Sequence, residues 1–242
     1  MNIHNPSDPE KMKLMSTDPE LVELARQLFL KSCEYRYSYN FSWLGRPIIQ
    51  YPEDIVAMQE IIWRIQPDLV VETGIAHGGS LIFLASMLEL IGGNGEVLGI
   101  DIDIRTHNRT EIENHRLSKR ITMIEGSSVS LEVAAAVRSF AANKSRVMLI
   151  LDSNHTHEHV FQELCLYSPL VGSGSYIIVM DTVVEDMQPD AFQDRPWGRG
   201  DNPKTAVREF LKTTDRFITD NGVENKLLLS VAPEGYLRCV KD

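Results

Sequence analysis

The sequence predicts an α/β fold: a mostly parallel sheet of seven strands with helices on both faces, a terminal antiparallel hairpin and an N-terminal helical extension. Three observations lead there. Apolar runs of strand length alternate with helical patterns from about residue 68 to residue 220, as a parallel sheet with crossover helices requires. The runs at 69–71 and 147–151 are apolar at every position rather than at alternate ones, which marks strands buried on both faces. The last two runs, at 226–230 and 236–240, are separated by a stretch containing Ala232-Pro233-Glu234-Gly235, whose turn composition pairs them antiparallel.

Taken in order, residues 1 to about 17 are polar with two prolines and are expected to form a mobile arm. Asp18-Pro19 starts an amphipathic helix that runs to about Tyr35, the proline suiting its first turn. The segment 41–55, FSWLGRPIIQYPEDI, is an aromatic-rich loop; it suits covering a ligand, meeting a second copy of the chain, or packing on the core. Pro52-Glu53-Asp54 opens a helix to about Ile65, with acids in its first turn where the helix dipole favours them. Strands are expected near 68–73, 96–101, 120–125, 146–152, 174–181, 226–230 and 236–240. Helices are expected near 79–91, 105–117, 129–142, 156–167 and 203–220. Residues 1–50 thus form an arm, a helix and an aromatic loop, and 51–242 form one ligand-binding domain.

Composition narrows the function. A chain of 242 residues with 43% hydrophobic and 24% charged residues suits a single large domain. Its net charge of −10 and the absence of any long Lys/Arg run argue against a nucleic-acid partner and for small-molecule work. Three widely spaced cysteines, Cys33, Cys165 and Cys239, suit a reducing cytoplasm rather than a disulfide framework. The N-terminus lacks a signal-peptide core, and no apolar stretch approaches the ~18 residues of a membrane span.

The most informative segment is LVVETGIAHGGS at 69–80, an apolar strand that breaks into a loop of small residues. Gly74, Gly78 and Gly79 let the backbone turn and approach a ligand, and Ser80 is placed to cap the following helix. The spacing is not the G-x-G-x-x-G of a dinucleotide site, so a ligand without phosphates fits better. Glu72 would repel phosphate but suits an ammonium group, such as that of the methionine part of S-adenosylmethionine. Asp101, at the end of the next strand and followed by Asp103, stands where a ribose diol is gripped. Each feature alone also suits a plain tight turn with acids capping helices.

The fourth strand of the sheet ends in Asp152 and runs directly into His155, His157, Glu158 and His159; the fifth ends in Asp181, with Glu185 and Asp186 close behind. Neighbouring parallel strands lie ~4.8 Å apart, so Asp152 and Asp181 can share one oxygen-preferring divalent cation such as Mg²⁺. His155 is the candidate base, because imidazole changes charge near neutral pH. For His157 and His159, at the start of a helix, a structural role is expected. A facial triad of a non-haem iron oxygenase is a distant alternative, since that motif belongs to a β-sandwich barrel.

VVETGIAHGGSLIFLASMLEL, VLGIDIDIR, LILDSNHTHEHV, GSYIIVMDTVVEDM and RPWGRGDNPKTAVREFL together resemble the so-called cephalosporin hydroxylase family, which includes rhamnosyl O-methyltransferases. The likeness covers roughly residues 35–240. It implies a Rossmann-like class I methyltransferase fold and a methyltransferase domain at 51–242 that binds S-adenosylmethionine. It further implies Mg²⁺-dependent O-methyl transfer to a sugar hydroxyl, on a nucleotide sugar, a surface glycan or a glycosylated metabolite, as in polysaccharide or lipid glycan biosynthesis. By resemblance Glu72, Gly74, Gly78, Gly79 and Ser80 form the donor loop, Asp101 meets the ribose and Ser127 lies near the adenine. Asp152 and Asp181 fall on the metal and His155 on the base. Where the antibiotic-pathway member has an acidic pair, this chain has Met180-Asp181, which leaves a third ligand to water, substrate or Glu185. The segment 194–204, with Trp197, would form a lid over the acceptor. The alternatives are a non-catalytic nucleoside-binding protein and, further off, the hydroxylase of the family's name. The extension and its aromatic loop point to a homo-oligomer.

Overall fold

The computed structural model describes residues 8–189 and 191–242. Two helices come first, α1 (Pro9–Thr17) and α2 (Pro19–Glu34), and both start the same way. Asp8 and Asp18 accept hydrogen bonds from N–H groups of the turn that follows, while a proline occupies the first helical position. Residues 9–17 are therefore helical where a mobile arm was expected, and residues 1–7 of that arm lie outside the described residues. Helix α1 buries no side chain, so no amphipathic pattern marked it.

The aromatic segment that follows is a short hairpin, β1 (Phe41–Trp43) and β2 (Arg46–Ile48), turning on Leu44 and Gly45, both at positive φ. It packs on its own chain. The Trp43 and Phe83 rings meet edge to face at 5.0 Å, and the Trp43 indole N–H donates to Ser86 at 3.0 Å. Helix α3 (Pro52–Ile65) leads into the main domain.

From there β3 (Leu69–Thr73), α4 (Gly79–Ile91), β4 (Glu96–Asp101), α5 (Thr106–Glu113), β5 (Ile121–Glu125), α6 (Leu131–Ala141), β6 (Val147–Leu151), α7 (His157–Tyr167) and β7 (Tyr176–Val179) alternate as expected. The chain closes with α8 (Pro203–Thr213), β8 (Phe217–Thr219), α9 (Asn221–Glu224) and β9 (Tyr236–Cys239). The seven-stranded sheet has the order β5-β4-β3-β6-β7-β9-β8. Its first five strands are parallel, and β9 runs antiparallel to both of its neighbours. Successive side chains of a strand point to opposite faces, which divides the core in two. Val70, Met148, Ile150 and Ile178 pack with α3 and α4, whereas Leu69, Val71, Leu149, Ile177 and Val179 pack with α6, α7 and α8.

The antiparallel edge differs from the expectation in its parts. Residues 226–230 are not a strand; the partner of β9 is Phe217–Thr219, which the sequence pattern had assigned to the end of a helix over 203–220. Helix α8 stops at Thr213 because Thr214 is extended (φ −146°, ψ 147°). Leu227 packs against the core, which gives the 226–230 run an apolar character without strand pairing. Among the described residues, no helix is long and apolar enough to cross a membrane.

Candidate functional site

Strand β3 has β4 on one side and β6 on the other, so the chain's crossovers diverge at β3 and leave a crevice at the carboxyl ends of β3 and β6. Gly74, at φ 93°, makes that crevice: a Cβ there would lie 2.0 Å from the Asp152 carbonyl oxygen, so no other residue lets the ends of β3 and β6 come this close. Gly79 serves packing instead. A Cβ on it would sit 2.1 Å from the Pro47 carbonyl oxygen, so β2 presses directly on the start of α4. Gly78 turns the chain at φ 80° beside the Ile112 side chain.

A cavity of about 320 Å³ opens here, with Gly74, Asp101, Ser127, Asp152, His159 and Trp197 in its wall. Asp101 braces the loop after β3: it accepts from the backbone N–H of Ile75 at 2.8 Å and of Ala76 at 3.3 Å, and from that of Asp103 at 3.1 Å. A smaller adjoining cleft is lined by Gln50, Gly74, Gly79 and Ser80. Beneath it Glu72 is fully buried and accepts the Ser80 hydroxyl at 2.9 Å. Burial pushes the Glu72 carboxyl up to about 8, with the Ser80 hydrogen bond opposing and the Asp101 charge adding. A cation beside it would restore the ionised form.

Asp152, His155 and Asp181 come together at the ends of β6 and β7, one ligand-type atom of each lying within 4.8 Å of the others. The His155 Nε2 is 3.3 Å from Asp181 Oδ2. Asp181 holds a left-handed conformation (φ 54°), which turns the chain sharply after β7. Burial, then the charges of Asp181 and Glu72, hold the Asp152 carboxyl well above the usual carboxylate range. Two carboxylates and an imidazole form a donor set suited to a hard divalent ion, and a cation among them would relieve the crowding of like charge. Met180 is buried in the core, and Glu185 is committed to the Gly200 N–H and the Asn202 amide. Neither joins the cluster, which His155 completes.

Two further residues line this site, one of them without any signal in the local pattern. Gln50 donates from its amide to Asp152 Oδ2 at 3.2 Å, and its buried Oε1 has no partner among the described residues. His159 faces the cavity rather than serving as a helix-start surface residue. Its Nε2 lies 3.0 Å from the Ser128 hydroxyl, 3.2 Å from that of Ser153 and 3.4 Å from Glu163; the i, i+4 spacing to buried Glu163 was its one visible sign. His157 is structural, as expected, tying α7 to Thr205 and Glu209 of α8. Over the cluster, Trp197 meets the His155 ring edge to face at 4.8 Å and carries the Arg195 guanidinium on its own face.

The sheet order, the crevice and its acidic strand ends define the class I methyltransferase fold. Within that class the chain belongs to the rhamnosyl O-methyltransferase/CmcI family, whose model matches residues 35–240, and so to a family of S-adenosylmethionine-dependent O-methyltransferases. It is 30% identical over 231 residues to the rhamnosyl O-methyltransferase of Mycobacterium tuberculosis (strain ATCC 25618 / H37Rv), covering 90% of each chain. Among solved structures it resembles cmcI-D160 with Mg and SAM (TM-score 0.59, 21% identity, 84% of this chain and 77% of that one). It also resembles the O-methyltransferase from Bacillus cereus in complex with SAH (TM-score 0.55, 16% identity, 97% and 100%).

Proposed function

We propose that this protein transfers the methyl group of S-adenosylmethionine to a hydroxyl of a sugar, with a divalent cation, Mg²⁺, held by Asp152 and Asp181. The observation that carries the reading is the Asp152–His155–Asp181 cluster at the edge of a crevice of nucleoside size. The relatives named rhamnosyl O-methyltransferase support a sugar acceptor, either a small molecule or a glycan. When bound, the donor supplies an electrophilic methyl group and the cation a Lewis acid for the acceptor oxygen.

The chain's own residues do the rest. Asp101 and Ser127 receive the nucleoside, and Gly74, Gly78, Gly79 and Ser80 shape the loop over it. Glu72, which an ammonium group would ionise, anchors the amino-acid tail through the Ser80 side of the cleft. Asp181 faces Nε2 of His155, which favours the tautomer with its proton there and leaves Nδ1 to take the proton of the acceptor hydroxyl. Trp197 covers the cluster, limits water and offers an aromatic face to a sugar ring. Because attack is in line, orientation supplies much of the rate. The exposed apolar residues of the extension, Leu14, Leu24, Leu28, Tyr35 and Leu44, are proposed as a contact between copies of the chain, which light scattering would read as a mass above 27.4 kDa.

The deciding experiment is calorimetry with S-adenosylmethionine, followed by a methyl-transfer assay over a panel of nucleotide sugars with and without Mg²⁺. Donor binding with metal-dependent transfer to one sugar supports the proposal. Donor binding without transfer to any sugar or glycan removes the acceptor assignment, and full activity in excess chelator removes the metal.

A further inference from the structure

At the opposite pole of the sheet, where β6 and β7 begin, a cleft of about 560 Å³ has no part in the site above. Its lining brings together Arg64 from the last turn of α3, Arg146 just before β6 and Arg238 on β9, together with Ser173, Tyr176 and Asp220. Three guanidinium groups thus face one carboxylate in a chain whose net charge is −10.

That carboxylate is already engaged. Asp220 accepts from the Tyr176 hydroxyl and from the Gly222 N–H at 2.9 Å, and its distances to Arg64 and Arg238 are both 3.9 Å, too long for hydrogen bonds. Arg64 spends one N–H on the Tyr176 hydroxyl and lies over that ring at 5.3 Å. Arg146 spends one on the Ile65 carbonyl. The Arg238 guanidinium makes no hydrogen bond among the described residues. The Ser173 N–H is held by Asp242.

Several arginines elsewhere are fully engaged. Arg26 and Arg208 each grip a glutamate with two N–H groups, and Arg120 bonds Glu89 and two carbonyls. A guanidinium offers five donors in a planar fork that matches the oxygens of a phosphate group. The lining of the cleft therefore carries more guanidinium than carboxylate charge and leaves guanidinium donors unengaged, and its volume exceeds that of one tetrahedral oxyanion.

We propose that this cleft binds a phosphate-bearing small molecule, its phosphate or diphosphate group held by Arg64, Arg146 and Arg238. The site is separate from the methyl-donor crevice and stands whether or not the sugar acceptor assigned above is right. Inorganic phosphate and inorganic pyrophosphate are the probes, titrated calorimetrically into metal-free protein at constant ionic strength. This is done for the wild type and for the Arg238→Gln, Arg146→Gln and Arg26→Gln variants, each with its thermal midpoint recorded. Saturable binding that weakens by about tenfold or more in Arg238→Gln and in Arg146→Gln, but not in Arg26→Gln, is the expected result. Pyrophosphate bound far more tightly than phosphate would specify a diphosphate ligand; equal binding would specify a single phosphate. Because the Arg238 side chain makes no hydrogen bond among the described residues, its variant keeps the fold and gives the cleanest reading. No saturable binding of either probe, equal binding in all four proteins, or displacement of the probe by S-adenosylhomocysteine would overturn the proposal.

Discussion

Two carboxylates stand at the ends of this molecule's elements, one fully buried and one in the cavity wall, and their surroundings are opposite in kind. Asp54, in the first turn of α3, is fully buried yet accepts three hydrogen bonds: from the Ser230 and Tyr236 hydroxyls, both at 2.6 Å, and from the Val231 N–H at 2.9 Å. Its carboxyl rises only to about 6, burial being offset by those donors. Asp152 has one donor, the Gln50 amide, and faces Asp181 and Glu72. The contrast teaches that burial alone does not mark a functional acid. What separates the two is the supply of donors: Asp54 is a finished structural joint, whereas the proposal of a bound cation gives Asp152 the positive charge its neighbours lack.

Substitutions sharpen this contrast. The largest effect is expected from Asp152→Asn, which should lower methyl transfer by about a thousandfold and abolish metal-dependent stabilisation. It should leave the unfolding midpoint in chelator unchanged or raised, since it removes a crowded charge; a large fall in that midpoint would make Asp152 a structural acid like Asp54. Asp54→Ala should do the reverse, destabilising the protein by about 3 kcal/mol by stranding three donors. Urea unfolding measures the loss, and activity per folded molecule should persist. His155→Ala should lower kcat by about a hundredfold, with donor and metal affinity kept. A loss of metal affinity would instead make the imidazole a ligand.

The most gradual effect is one of pH. Asp54 has its folded value raised from 3.8 to about 6, so the folded state holds a proton that the unfolded chain releases earlier. The associated stability is complete below about pH 4 and is lost as pH rises through 6, about 3 kcal/mol in all. The difference in unfolding free energy between wild type and Asp54→Asn should shift by that amount across the window; a constant difference would mean that Asp54 is ionised throughout.

The half of the fold that carries the crevice was legible because β3 and β6 are buried on both faces and announce themselves as unbroken apolar runs. The antiparallel edge was not. Strand β8 has three residues, and Phe217 continues the spacing of Phe210, so the run read as helix. Helix α1 began with the same Asp-Pro signal that identified α2, but with nothing buried it offered no periodicity to confirm it. In the site, Asp152, His155 and Asp181 were visible as acids and an imidazole at strand ends. Gln50 was not, because its role arises from contact with a residue 102 positions away.

The seat that Gly79 leaves for the Pro47 carbonyl has a practical corollary for anyone trimming the gene. A chain started at Tyr51 would lose the Trp43 indole from the flank of α4, the Arg46 guanidinium from the His77 carbonyl and the Gln50 amide from Asp152. Such a fragment would keep its sheet and forfeit one wall of its chemistry, so the hairpin belongs with the enzyme when boundaries are drawn for expression or for grafting onto another scaffold.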